Sequence, residues 1–320
     1  MSAPEPVQQS VHEPAREAAA VQHPHDARFR DVYVSAKDGL KLHVREYGPS
    51  VSDYPAVVCL PGMARTAADF HDLAELLAND PHRPHRVVCV DYRGRGLSDW
   101  DPDWTHYNPY VEIDDLQQVL SALGIAKAIF VGTSRGGLLV LGLVGIAPEL
   151  IHAVVFNDVG PVVEPQGLVR IRGYLGKMPE PANYDEAIDI LRSFQDAQFP
   201  GLDARDWAAL AHGTWHEADG GLKLAYDPAL RKTLEGVDLE KAAPPLWAMF
   251  EGLKHVPILA VRGETSDILR ADTFAEMQAR HDNLETLLIP GQGHTPVFTH
   301  PEVSGPIASF INRVSTPLGG

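Results

Sequence analysis

Six short runs of the chain are apolar on consecutive positions, and they constrain its fold more than any other feature. They are AVVCL (56–60), RVVCVD (86–91), KAIFVG (127–132), IHAVVFND (151–158), VPILAVRG (256–263) and NLETLLIPG (283–291). A strand that is apolar on both faces must be covered on both faces, as in a parallel sheet sandwiched by helices. Helical periodicity fills the gaps, at about 67–78, over YVEIDDLQQVLSALG with Gly124 as its cap, and from about 135 to 147 before Pro148. A last helix is expected over roughly 301–314. Upstream, FRDVYVSAKDG and LKLHVREYG read as a hairpin. The expectation is a doubly wound α/β fold with a mostly parallel sheet of eight strands.

Between the sixth and seventh strands the alternation stops. Residues 162–252 are helix-dominated, opening NYDEAIDILRSF with a capping pair at Asn183 and Glu186. This stretch holds Tyr174, Trp207, Trp215, Tyr226, Trp247 and Phe250. Such an insertion is expected to form a helical cap or lid over the carboxyl ends of the strands, where ligands bind in open α/β sheets. The division is then a flexible arm over 1–28, a core over 29–161 and 253–320, and a cap over 162–252.

Several function classes are excluded by composition. The net charge is −16 and no run of Lys or Arg forms a basic stripe, which argues against a nucleic-acid partner. No apolar run approaches the ~18 residues of a membrane span, and the N-terminus lacks the basic and apolar regions of a secretory signal. Cytoplasmic residence is expected. Cys59 and Cys89 sit in apolar strands and read as buried thiols, with no disulfide framework. A homo-oligomer is compatible with the sequence, and the arm is free to cross to a second copy.

The chemistry lies at the strand ends. Ser134, in FVGTSRGG, follows one buried strand and precedes a helix, the context in which G-x-S-x-G carries meaning. The small neighbours Gly132, Gly136 and Gly137 suit a residue held at strained angles. A serine hydroxyl needs a base, and His294 in IPGQGHTP follows the last strand. The base needs a carboxylate, and Asp267 in VRGETSDIL follows the seventh strand, giving the order Ser134, Asp267, His294. Asp158, in FNDVGP at the end of the sixth strand, is the rival acid. Oxyanion donors are expected from the backbone N–H of Arg135 and of Met63, the latter in LPGMART. His212 and His216 have helical spacing, but no third ligand supports zinc, and no metal or other cofactor is expected. Arg65, Trp207, Trp215, Tyr226 and Trp247 are candidate pocket residues for a small-molecule substrate.

These stretches resemble the α/β-hydrolase superfamily from about residue 29 to 315, through PGM (61–63), DYRGRGLSD (91–99), GTSRG (132–136), GETSD (263–267) and GQGH (291–294). The resemblance implies Ser134 as nucleophile, Asp267 as acid and His294 as base. It also implies that Asp91, Arg93 and Ser98 stabilise a turn. Some relatives draw the acid from the earlier strand, the position of Asp158. The chain departs from the family at Pro61, where His is common, and at Arg135, where an apolar residue is common. Arg135 is expected either to pair with a cap carboxylate or to bias the pocket toward anions. Haloalkane dehalogenases and epoxide hydrolases of this fold carry aspartate where Ser134 stands, so attack on a carbonyl is implied. Three readings follow: an ester or lactone hydrolase working through an acyl-enzyme, a C–C hydrolase of a β-diketone-like ring-fission product, and a non-catalytic binding homologue.

Overall fold

The computed structural model describes residues 28–239 and 243–317. The arm expected over 1–28 lies outside them, apart from Arg28. Labels below run in chain order. The main sheet has eight strands: β1 (Phe29–Ser35), β2 (Lys41–Tyr47), β3 (Ala56–Leu60), β4 (Val87–Val90), β5 (Ala128–Thr133), β6 (Ile151–Asn157), β9 (Ile258–Gly263) and β10 (Leu284–Ile289). Their spatial order is β1-β2-β4-β3-β5-β6-β9-β10. Only the β1–β2 and β2–β4 pairings are antiparallel; the other five are parallel.

The double-sided apolar runs behave as their composition requires. Val58, Leu60, Phe130, Val154 and Phe156 point into one core, and Val57, Cys59, Ile129, Val131 and Val155 point into the other. The first core is completed by α2 (Pro109–Ala122), α3 (Arg135–Val144), α8 (Trp247–Glu251) and α9 (Ala271–Arg280), and the second by α1 (His71–Ala78) and α10 (Pro301–Val314). The stretch expected to be one helix over 67–78 is a 3-10 turn, Ala67–Phe70, followed by α1.

Between β6 and β9 lie α4 (Pro165–Tyr174), α5 (Tyr184–Gln195), α6 (Ala204–Thr214) and the single turn α7 (Lys232–Glu235). They share a separate apolar cluster with Trp207, Trp215 and Tyr226. Two features depart from the sequence expectation. An antiparallel hairpin, β7 (Trp215–Ala218) and β8 (Gly221–Leu224), sits among the helices. The reciprocal capping box belongs to α6, through Asp203 and Asp206. At α5, Asn183 caps Glu186 N, while the Glu186 carboxylate accepts instead from Ala182 N.

The turn after β4 is held as the motif suggests. Asp91 accepts from Ala67 N at 2.6 Å and Leu97 N at 3.1 Å. Ser98 Oγ donates to Asp91 O at 2.7 Å. Arg93 lies buried and pairs with Asp115, Asp38 and Asp101.

Candidate active site

Ser134 connects β5 to α3 with φ 50° and ψ −111°. A non-glycine residue there is strained, and the strain is held by close packing on both sides. The Ser134 N–H donates to Asn157 O at 3.1 Å, tying the bend to β6. A Cβ on Gly136 would stand 2.1 Å from Leu60 O, and one on Gly132 would stand 2.6 Å from the Cα of Gly137. Glycine is therefore required where α3 crosses the sheet end, and Ser134 is left projecting from the carboxyl edge.

His294 receives the hydroxyl. Ser134 Oγ lies 2.8 Å from His294 Nε2, and His294 Nδ1 lies 2.8 Å from Asp158 Oδ2. With Nδ1–H donating to the carboxylate, Nε2 is left as the acceptor for the serine O–H. The partner of the histidine is thus the rival acid, and the expectation for Asp267 is corrected. Asp158 is fully buried, sits at φ 56°, and has its other bonds from Gly263 N at 2.8 Å and Ser266 Oγ at 2.6 Å. Asp267 turns away to a bidentate pair with Arg170 of α4, at 2.6 Å and 2.8 Å. Burial raises the Asp267 carboxyl, and Arg170, joined by His294 and Gln198, outweighs it and holds the group below its ordinary value. The physical reason is direction: the GETSD loop contributes Ser266 to orient Asp158, while its own aspartate faces Arg170 of α4.

The two residues expected to supply oxyanion donors flank the serine. Arg135 opens α3, so its N–H has no intrahelical acceptor. Met63 lines the same cavity as Ser134, and a Cβ on Gly62 would lie 3.8 Å from the Ser134 Cβ. Neither N–H has a backbone acceptor among the described residues. Nearby, Arg135 Nε pairs with Glu112 Oε2 at 2.7 Å. Glu112 belongs to α2 beneath the sheet end, not to the cap, and Arg135 is not part of the cavity wall. Neither expectation for Arg135 therefore holds. Burial raises the Glu112 carboxyl, but Arg135 and Arg95 together bring it below its ordinary value.

Ser134 and His294 open into a cavity of about 330 Å³. Its walls include Ile171, Met178, Leu191, Phe199 and Leu210 from the segment between β6 and β9, and Phe298 from the core. Of the expected pocket residues, Tyr226 and Arg65 line it. Arg65 is already engaged: it forms a bidentate pair with Asp69 and donates to Thr214 Oγ1 at 2.6 Å. Trp207 and Trp215 are buried in the helical cluster, with Trp215 Nε1 donating to Pro179 O. Trp247 packs on Phe250 beneath Arg280, away from the cavity. Tyr174, Met178 and Leu191 were missed: the helices of Tyr174 and Leu191 give an apolar stripe without saying which side faces the serine, and Met178 lies in the connection between α4 and α5, where no periodicity applies. His212 ends α6, while His216 lies on β7, so their helical spacing does not place them on one face. No helix among the described residues is long and apolar enough to cross a membrane.

The comparisons with known proteins bear on the fold and the family. Residues 55–301 match the model of the alpha/beta hydrolase fold. The chain is 34% identical over 254 residues to a 3-hydroxybutyrate-oligomer hydrolase of Cupriavidus necator, covering 77% of this chain and 84% of the relative. It is 26% identical over 277 residues to a 2-(acetamidomethylene)succinate hydrolase of Mesorhizobium japonicum, covering 85% and 92%. Among solved structures, an alpha/beta hydrolase from Novosphingobium aromaticivorans superposes with a TM-score of 0.83 at 37% identity, over 90% of this chain and all (100%) of that one. The matched span takes in both Ser134 and His294, and the chain belongs to the α/β-hydrolase fold family of hydrolases.

Proposed function

We propose that the chain is a serine hydrolase that cleaves carboxylic esters through an acyl-enzyme on Ser134. The observation that carries this reading is the unbroken relay Ser134 Oγ–His294 Nε2–Asp158, 2.8 Å at each step, facing a largely apolar cavity. In the first half-reaction His294 takes the hydroxyl proton while Oγ attacks the ester carbonyl. The N–H groups of Met63 and Arg135 receive the oxyanion, and Asp158 stabilises the imidazolium. Collapse expels the alcohol, which leaves with the proton from His294. Water then enters, gives a proton to His294 as its oxygen attacks the acyl carbon, and the second intermediate collapses to release the acid while His294 returns that proton to Ser134 Oγ.

Residues 162–252 act as the lid that shapes the substrate, and Tyr226, Tyr174 and Phe199 line its inner side. The relative named for 3-hydroxybutyrate oligomers suggests short esters of hydroxy acids as first substrates. The test is a panel of p-nitrophenyl acetate, p-nitrophenyl butyrate and 3-hydroxybutyrate dimer and trimer, run on the wild type and Ser134→Ala. Turnover by the wild type that disappears in Ser134→Ala is the expected result. Inactivity on every ester together with cleavage of a β-diketone ring-fission product would favour C–C hydrolysis instead.

A further inference from the structure

Behind the serine, on the side away from the cavity, lies a buried charge cluster that the relay does not use. Arg95 and Glu112 have no exposed side-chain surface, and Arg135 is 11% exposed. Arg95 Nη2 stands 2.9 Å from Glu112 Oε1, and Arg135 Nε stands 2.7 Å from Glu112 Oε2. Arg95 also donates from Nε to Met63 O at 2.8 Å. The hydroxyl of Tyr92 donates to Pro61 O at 3.1 Å, and the Tyr92 ring lies 5.5 Å from the Arg95 guanidinium. The peptide groups on either side of the Gly62–Met63 amide are therefore both clamped, one by Tyr92 and the other by Arg95. The Glu112 carboxylate thus sits between the two guanidiniums: it is hydrogen-bonded to Arg135 through Oε2, while Oε1 faces Arg95 Nη2 as an ion pair without hydrogen-bond geometry.

We propose that Glu112, Arg95 and Tyr92 are positioning residues that fix the separation and aim of the two oxyanion donors, Met63 N–H and Arg135 N–H. This rests on the ester-hydrolase reading above. A buried ion cluster contributes little net stability relative to apolar packing of the same volume. Its effect lies in geometry: the two donors arise from loops after different strands, β3 and β5, and a single carboxylate of α2 spans them. Beyond the last β3–β5 pair, Leu60 with Gly132, no backbone hydrogen bond joins the two loops among the described residues. A donor moved by a fraction of an ångström weakens the bond that strengthens as the carbonyl becomes an oxyanion.

The test compares the wild type, Glu112→Gln and Tyr92→Phe as full-length protein, using p-nitrophenyl butyrate turnover and two inhibitors. Phenyl trifluoromethyl ketone forms a tetrahedral adduct that places an oxyanion between the donors, whereas butyramide binds as a neutral carbonyl and samples the ground state. In Glu112→Gln, kcat is expected to fall about tenfold to a hundredfold, with KM within about twofold. Affinity for the ketone should fall by the same factor as kcat/KM, and butyramide inhibition should hold. Tyr92→Phe should show the same split at about threefold to tenfold. If Glu112→Gln does not fold, Tyr92→Phe decides the matter alone. A folded variant that keeps its kcat and ketone affinity, or loses only thermal stability, overturns the proposal. An active wild type beside an unaffected variant defeats this inference and leaves the ester reading intact. A wild type inactive on esters, and unlabelled at Ser134 by a fluorophosphonate, defeats both.

Discussion

Ser134 and His294 were legible in the sequence because each is marked by its own glycines at a strand end, and a glycine marks backbone position. Their acid was not legible. Asp158 and Asp267 both follow buried strands, and order along the chain ranked Asp267 first. The choice is made by side-chain direction, which depends on the positive φ at Asp158 and on Arg170 drawing Asp267 toward α4. Neither term leaves a periodic signal. The two aspartates therefore give the first prediction. Asp158→Asn should lower kcat by about 10⁴-fold, because the amide favours the wrong imidazole tautomer. Asp267→Asn should change kcat less than tenfold and act mainly on the cap contact, as kcat and KM on one ester would report. Equal losses in the two variants would contradict the assignment.

The elements of the core were read well, because a covered parallel sheet writes itself as double-sided apolar runs. The hairpin β7–β8 was missed for the complementary reason. Its strands span only four residues each, Trp215–Ala218 and Gly221–Leu224, too few for an alternation to stand out from helical spacing. Packing where α3 meets β3 makes a prediction at this scale. Gly136→Ala would press a methyl group against Leu60 O at 2.1 Å, a contact that backbone cannot relieve cheaply. Destabilisation of about 2–4 kcal/mol is expected from urea unfolding.

A second prediction at the element scale concerns the hairpin β1–β2. His43 is buried on β2 with Nδ1 2.6 Å from Asp91 and Nε2 2.9 Å from Asp31. Burial alone would lower its pKa, but Asp91 and Asp31 outweigh burial and raise it above 6.5. A raised folded value means the stabilising contribution is complete below the unfolded value and is lost as pH climbs through the folded one. Stability should therefore decline from about pH 6.5 upward in the wild type, and that part of the slope should vanish in His43→Gln. Thermal melts across about pH 6 to 9 read it, and parallel curves for the two proteins would contradict it.

At the scale of the whole molecule, the segment between β6 and β9 is fastened to the core at charged points around the cavity. Arg65 joins Asp69 to α6 through Thr214, Arg205 of α6 reaches Asp72, Asp206 accepts from Thr299, and Arg170 holds Asp267. That a mostly helical segment interrupts the sheet between β6 and β9 was readable from the break in strand–helix alternation, whereas its fastenings were not, since most of them join residues far apart in the chain. Arg65→Met removes the guanidinium that links Asp69 to α6 while keeping an apolar stem. It is expected to raise KM about tenfold for a butyrate ester with a smaller effect on kcat, and to speed amide exchange in α6. Unchanged exchange with unchanged KM would show that α6 is held without this residue.

The whole account turns on a covalent intermediate at one hydroxyl. Rapid-quench mass spectrometry of the Ser134 peptide after mixing with p-nitrophenyl butyrate measures it directly. The account predicts a butyryl group on Ser134 within the first turnover, decaying as butyrate appears, and no adduct or turnover in Ser134→Ala. Ester hydrolysis that proceeds without an adduct and survives Ser134→Ala would contradict it.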